Sequence, residues 1–81
     1  MNATYTATIL AEVGIAYEGG YWDTVDVEVD VDLHPRDTDR DRNDRILNHA
    51  QPLVYEEIDA RMVDRIVHLW LYNAEEIHAE S

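Results

Sequence analysis

The stretch Thr24–Leu33 reads TVDVEVDVDL and alternates apolar with polar, mainly acidic, side chains along its whole length. A period of two is typical of a β-strand, in which alternate side chains point to opposite faces of the sheet. The valines and Leu33 therefore share one face. The opposite face carries four acids: Asp26, Glu28, Asp30 and Asp32. Because like charges on one face repel and acids are poor strand formers, we expect this strand to form only if its valine face is well buried.

A second long strand precedes the first in the chain. Residues Thr4–Tyr17 alternate an apolar row with a more polar one, and Gly19-Gly20 then marks a turn. A two-residue loop would set the apolar row of one strand beside the acidic row of the other. We therefore predict a three-residue loop, Glu18–Gly20, with a glycine at positive φ; a bulge at Gly14 would give the same parity.

The three-residue loop fixes the register of the predicted hairpin, which covers residues 1–34. The apolar faces meet through the pairs Tyr17–Tyr21, Val13–Val25, Ile9–Val29 and Tyr5–Leu33. The opposite face places Glu12 beside Asp26, Thr8 beside Asp30 and Thr6 beside Asp32. The hairpin thus gains one apolar face that needs a cover and one face lined with carboxylates.

The second half of the chain reads as helical. Thr38 and Asp41 form a capping-box pattern, which predicts a short helix over residues 37–50. Pro52 ends that helix and begins a long one over residues 52–78. Its apolar stripe is formed by Ile58, Met62, Ile66 and Leu69.

The stripe is interrupted at Leu71 and Tyr72, and residues 66–72 are apolar nearly all round. Either this part of the helix is covered on two sides, or residues 65–72 form a third strand. We favour the helix because residues 60–62 lead into it without a break. The predicted fold is therefore one α+β domain over residues 1–81, an antiparallel hairpin of two long strands packed by a short helix and a long C-terminal helix.

Such a hairpin leaves both strand edges open, and one helix gives it little support. Leu71 and Tyr72, exposed on the predicted helix, supply an apolar surface. We therefore expect a homodimer or docking onto a larger partner, with Leu71 and Tyr72 at the interface.

The net charge of −12 is the strongest signal in the composition. Residues 1–34 hold seven acids and no base, residues 35–51 are neutral, and residues 52–81 carry −5; every base is an arginine. Both acidic regions repel nucleic acid and anionic lipid, so neither is an expected partner. No apolar run could span a bilayer, no basic-then-apolar leader precedes the first strand, and cysteine is absent, so we expect a cytoplasmic protein without disulfides.

No pattern predicts an enzyme, a metal site or a cofactor. The segment 37–48 begins like a calcium loop but has Arg42 where glycine is required and Asn48 where the bidentate glutamate belongs. The four histidines, His34, His49, His68 and His78, lack the spacing of a zinc site. No carboxylate pair is predicted in an apolar pocket, and no nucleophile elbow or phosphate loop occurs. We expect a non-enzymatic protein.

The candidate partner-binding surface is the acidic face of the hairpin. Acids two residues apart on a strand lie roughly 6.5–7 Å apart, which is close to the spacing of phosphates along a nucleic-acid strand. Its predicted members are Asp26, Glu28, Asp30, Asp32 and Glu12, with Trp22 near the turn as an aromatic anchor for an arginine-rich partner. A solvated face that discourages aggregation, with Trp22 as a cap on the core, is the alternative.

In its size, acid surplus and acid-studded strand, the chain resembles the small phage-encoded inhibitors of host defence, namely anti-CRISPR proteins and DNA-mimic antirestriction proteins. The resemblance implies an inhibitor, acting in the cytoplasm of the host cell, that occupies the basic nucleic-acid-binding surface of a protein. The alternative is a structural or assembly module from a halophile, in which the acids serve solvation and the apolar surface at Leu71 and Tyr72 binds a protein partner.

Overall fold

The computed structural model describes the backbone of residues 4–80 and the side chains of residues 4–78. Three strands and two helices follow one another along this part of the chain. They are β1 (Tyr5–Tyr17), β2 (Trp22–Leu33), α1 (Asp39–Glu57), α2 (Ala60–Val63) and β3 (Ile66–Glu80). The strands form one antiparallel sheet in the order β2-β1-β3, so that β1 is the central strand.

The predicted hairpin register is confirmed. Val13 lies opposite Val25 and Ile9 lies opposite Val29, and the pairing of β1 with β2 runs without a register shift. At the turn the Tyr17 N–H donates to the Tyr21 carbonyl oxygen at 2.8 Å, which closes the three-residue loop. Both loop glycines have positive φ, 91° and 83°, as this loop requires.

The predicted long C-terminal helix over residues 52–78 is wrong, and with it the predicted fold class. Residues 66–80 form β3, which pairs with β1 from Thr6 to Tyr17. Residues 66–72 read IVHLWLY, a run of β-branched, aromatic and leucine side chains that suits a strand. The third strand also satisfies the backbone edge of β1 that a two-stranded hairpin would leave open. The strand that we considered for residues 65–72 is the correct alternative, although it is longer than we expected.

The helix predicted over residues 37–50 does form, but it is longer than we predicted. Thr38 is its N-cap, as predicted, and its hydroxyl oxygen accepts a hydrogen bond from the Asp41 N–H at 3.1 Å. The helix then continues through Pro52 to Glu57. Proline costs a helix one hydrogen bond and a steric clash. That cost is offset here because Ile46, Ala50 and Val54, spaced four residues apart, are all fully buried against the sheet.

The core lies between α1 and one face of the sheet, which we call the inner face. Val27, Val29 and Val31 of β2 and the odd-numbered residues 7–17 of β1 are buried there, and Val25 and Tyr5 are partly buried. The other side, the outer face, is covered by no element of the described chain. The molecule is elongated, with extents of 48 × 20 × 16 Å. The described residues thus leave one broad side of the sheet open to solvent.

Candidate functional site: the outer face of the sheet

The strand register arranges the outer face in rows that cross the three strands. Near the turn, Trp22 of β2 faces Ala16, and Gly14 faces Trp70 of β3. The middle rows carry Asp26 with Glu12 and Asn73, then Glu28 with Leu10 and Glu75. The last rows carry Asp30 with Thr8 and His78, then Asp32 with Thr6. One end of the outer face is therefore aromatic, and the remainder carries acids among polar side chains and the partly exposed Leu10.

The acids predicted for this surface do stand together. We call Asp26, Glu28, Asp30 and Asp32 the carboxylate row; all four are exposed. The hydroxyl groups of Thr6 and Thr8 donate to Asp32 Oδ1 and Asp30 Oδ1, each at 2.7 Å. These cross-strand bonds orient two of the four carboxylates, and the hydroxyl donors carry no charge of their own. Glu12, half-buried opposite Asp26, and Glu75 on β3 add two further acids to the same face.

In the part of the chain that the structure describes, no arginine forms an ion pair with a carboxylate of the row; Arg45 Nη1 donates to the Asp32 main-chain carbonyl at 3.1 Å but pairs its charge with Asp37. The two arginine ion pairs found in that part join Arg45 of α1 to Asp37 in the preceding loop, and Arg61 of α2 to Asp59 at the N-cap of α2. Along β2 the row extends over about 20 Å, with roughly 6.5–7 Å between neighbours. That spacing is shorter than the Debye length of about 8 Å at physiological salt, so mutual repulsion is only partly screened.

Asp37 and Asp59 each have an arginine partner, unlike the carboxylates of the row. The pKa of Asp37 is lowered mainly by a hydrogen bond from the His34 main-chain N–H and further by the Arg45 guanidinium at 2.7 Å. The pKa of Asp59 is lowered by hydrogen bonds from the side chain and main chain of Arg61. In both places the carboxylate is satisfied within the chain, whereas the carboxylate row has hydroxyl donors at two positions.

An aromatic cluster occupies the turn end of the outer face. Its members are Trp22, His68, Trp70 and Tyr72. The Trp22 ring centroid lies 6.0 Å from that of Trp70 and 6.3 Å from that of Tyr72. Residues from the two outer strands can meet above β1 because β1 has only Gly14 and Ala16 beneath them. The Trp70 indole lies directly on Gly14, where a Cβ atom would overlap it.

The structure places Trp22 away from the core and thus disfavours the alternative in which it caps the core. Trp22 is 55% exposed and Tyr72 is 56% exposed. Sequence reasoning missed Trp70 and His68, because we assigned both to a helix. One signal could have found them: Gly14 interrupts an otherwise well-patterned strand, and such a glycine marks close approach by another group.

The shared apolar surface predicted for Leu71 and Tyr72 does not exist. As consecutive residues of a strand they point to opposite faces. Leu71 is half-buried against the core on the inner face, whereas Tyr72 belongs to the aromatic cluster outside. Their role at a dimer or partner interface stays a prediction, but the helix face from which it was argued is absent.

Residues 37–48 include the loop before α1 and its first turns, with Asp39 and Asp41 in the first turn of the helix. The histidines are distributed over the molecule: His34 Nδ1 accepts from the Arg36 N–H at 3.0 Å, and His68 stacks on Trp70. Among the described residues, no three His, Asp or Glu side chains come together as a metal site. No helix in the described range is long and apolar enough to cross a membrane.

Comparisons with protein-family models, with curated proteins and with solved structures found no match to this chain.

Proposed function

We propose that this protein is a small non-enzymatic inhibitor whose outer sheet face binds the basic nucleic-acid-binding surface of a protein target. The observation that carries the proposal is the carboxylate row, four exposed acids on one strand whose carboxylates form no ion pair with an arginine of the described chain. A surface of one sign that no arginine of the described chain neutralises by ion pairing is complementary to a cationic partner.

The geometry of the row favours a surface that normally holds nucleic acid. Its carboxylates repeat at roughly 6.5–7 Å along an extended backbone, close to the phosphate spacing of one strand. Arginine pairs with carboxylate and phosphate through the same planar, bidentate geometry. A groove built to hold phosphates can therefore accept the row with little rearrangement. Glu12 and Glu75 widen the acidic surface across the sheet.

The aromatic cluster adds exposed rings to the acidic surface, and a side chain of the target can pack on them. Trp22 and Tyr72 expose more than half of their surface at the turn end of the outer face. Tyr72 precedes Asn73, which lies opposite Glu12, whereas the Thr24 row separates Trp22 from Asp26. An arginine from the target can lie on such a ring while it pairs with the neighbouring carboxylate. Aromatic residues also contribute much of the energy in protein interfaces, whereas solvent-exposed ion pairs contribute little.

The resemblance to phage-encoded inhibitors of host defence adds a biological setting to this proposal. In that setting the protein acts in the host cytoplasm as an anti-CRISPR or antirestriction inhibitor, and it competes with DNA or RNA for its target. It binds no nucleic acid itself, because its net charge of −12 repels phosphates.

The test is a capture experiment with competition. The tagged protein is incubated with an extract of the source or host cell, and captured proteins are then eluted with duplex DNA or with RNA. We expect capture of a nucleic-acid-binding protein that nucleic acid releases. A row variant, with Asp26→Asn, Glu28→Gln, Asp30→Asn and Asp32→Asn, should lose that protein.

A matched control removes the same number of charges elsewhere. The helix-side variant carries Asp44→Asn, Glu56→Gln, Glu57→Gln and Asp64→Asn, all at exposed positions away from the outer face. It should capture the same protein as the unmodified chain. Equal capture by all three proteins, or a captured protein that nucleic acid does not release, would refute the proposal.

Circular dichroism separates this function from a halophile module. A protein whose acids serve solvation at high salt should unfold as salt is removed. We expect the protein to remain folded at low salt, because its valine face is buried by α1 and the sheet is fully paired through β1.

A further inference from the structure

The two outer strands of the sheet present different edges. β3 pairs with β1 through three register shifts, and such bulges disrupt the regular ladder that another strand would need. β2 pairs with β1 without any shift from Ala16–Trp22 to Tyr5–Leu33. The free edge of β2 is therefore long and regular.

The closing hydrogen bond of the hairpin shows which backbone groups point to this free edge. The Tyr17 N–H donates to the Tyr21 carbonyl, so the odd-numbered residues of β2 bond to β1 and the even-numbered residues point outward. Two observations agree with this. The Asp32 carbonyl accepts from Arg45 Nη1 at 3.1 Å, and the Thr24 N–H donates to Asp23 Oδ1 at 2.8 Å.

Side chains thus cap the free edge at both ends, and among the described residues no hydrogen bond caps the stretch between them. The outward backbone groups of that stretch belong to Asp26, Glu28 and Asp30, three members of the carboxylate row. The same three residues therefore offer main-chain hydrogen bonds along the edge and negative charges on the outer face. A partner that uses both features must be an extended segment with positively charged side chains.

We propose that the free edge of β2 takes up an extended segment of the target as a fourth strand, and that this segment carries arginine or lysine at every second position. The proposal rests on the proposed function, because it assumes a cationic protein partner. In the added strand the basic side chains lie on the outer face beside the carboxylate row. Opposite charges in neighbouring strands attract, and the backbone bonds supply the remaining affinity.

The charges of the row exclude a second copy of this chain as the occupant. Pairing β2 with β2 would set carboxylates beside carboxylates along the whole edge, and like charges opposite each other are destabilising. The inner face of the sheet also restricts which side chains the added strand can carry between its basic residues. Val27 and Val29 are buried beneath α1, and Leu47 and Leu53 pack half-buried against the same core. Small or apolar side chains in the added strand therefore fit between its basic ones.

The first test uses a fluorescent peptide of alternating arginine and threonine, long enough to span the stretch from Asp26 to Asp32. We expect it to bind the full-length protein more tightly than a peptide of the same composition with its arginines grouped at one end. N-methylation of one alternate set of peptide amides should weaken binding about tenfold or more, because hydrogen bonds to the edge are lost. N-methylation of the other set should leave binding unchanged.

The second test alters the edge of the protein. The Glu28 N–H points outward, so Glu28→Pro removes an edge donor without removing a bond to β1. Glu28→Gln removes the same charge and keeps the donor. We expect the proline variant to bind the alternating peptide about tenfold more weakly than the glutamine variant, with an unchanged circular dichroism spectrum. Amide hydrogen exchange of the unmodified protein should slow at Asp26, Glu28 and Asp30 when the peptide binds.

The outcomes separate this inference from the proposed function. Equal binding of the alternating and grouped peptides, equal effects of the two N-methylated sets, or unchanged exchange at those three amides would overturn strand addition. If the capture experiment still shows a protein that nucleic acid releases, the acidic face binds its target without the edge. If the Glu28→Pro chain does not fold, the peptide and exchange measurements decide.

Discussion

The contact between Gly14 and Trp70 ties the aromatic cluster to the sheet, and Gly14→Ala tests it. A Cβ atom at Gly14 would overlap the Trp70 indole, with even the more distant ring atom Cδ2 only 2.7 Å away. The indole must then lift off β1, and overpacking of this kind costs about 1–3 kcal/mol. In a Trp70→Ala background the obstacle is gone. There the same substitution should stabilise the strand by about 0.5–1 kcal/mol, because glycine is unfavourable within a strand.

Gly14→Ala is thus predicted to destabilise the unmodified protein and to stabilise the Trp70→Ala variant. Urea unfolding of the unmodified chain, the two single variants and the double variant gives the free energy of coupling between the two positions. We expect a coupling of about 1.5–4 kcal/mol. If Gly14→Ala destabilises both backgrounds equally, or leaves the unmodified protein unaffected, the indole does not rest on Gly14 and the described cluster is wrong.

Three further predictions concern stability. Pro52→Ala should stabilise the protein by about 1–2 kcal/mol in urea unfolding, because a missing helix bond and a steric clash outweigh the stiffening of the unfolded chain by proline; a loss of stability would contradict this. Asp37 has a lowered pKa in the folded state, so its stabilising effect is present above its unfolded pKa and is lost as pH falls through the folded value. Asp37→Asn should therefore lower the melting temperature at neutral pH, and the difference should shrink below about pH 4; a difference independent of pH would argue against the hydrogen bonds described. Asp26→Asn should raise the free energy of unfolding by about 0.2–1 kcal/mol through relief of repulsion from Glu12, and no gain would mean that the two charges do not interact.

The hairpin could be predicted because its alternation is a strong constraint. A one-residue slip between β1 and β2 would turn every valine of β2 to solvent, so only an odd loop was acceptable. The structure has that loop, with Gly19 and Gly20 at positive φ. The carboxylate row followed directly from the same register, because the acids alternate with the buried valines.

The second half of the chain could not be predicted in the same way. β3 has apolar side chains on both faces: Leu69 and Leu71 face the core, while Trp70 and Tyr72 form the aromatic cluster. A strand of this kind lacks alternation, and its bulges break the period further. A helical stripe could then be traced through it. Pro52 led us to end the first helix at residue 50, whereas α1 continues through it to Glu57. Burial of apolar side chains along α1 outweighs the local cost of proline.

The error in the second half also hid part of the candidate site. Trp22 was identified from its place near the turn, but its partners Trp70 and Tyr72 lie about fifty residues away in sequence. Only the pairing of β3 with β1 brings them together. Composition therefore identified the charge of the surface, and tertiary structure was needed to find its aromatic anchor.

The most direct measurement is the salt dependence of binding to the captured partner by the unmodified protein, the row variant and the helix-side variant. We expect the affinity of the unmodified protein to fall steeply as salt rises, since exposed charges are screened. At low salt the row variant should bind at least about tenfold more weakly, and the helix-side variant should match the unmodified protein. Equal affinities for all three proteins, unaffected by salt, would contradict a role for the carboxylate row in binding.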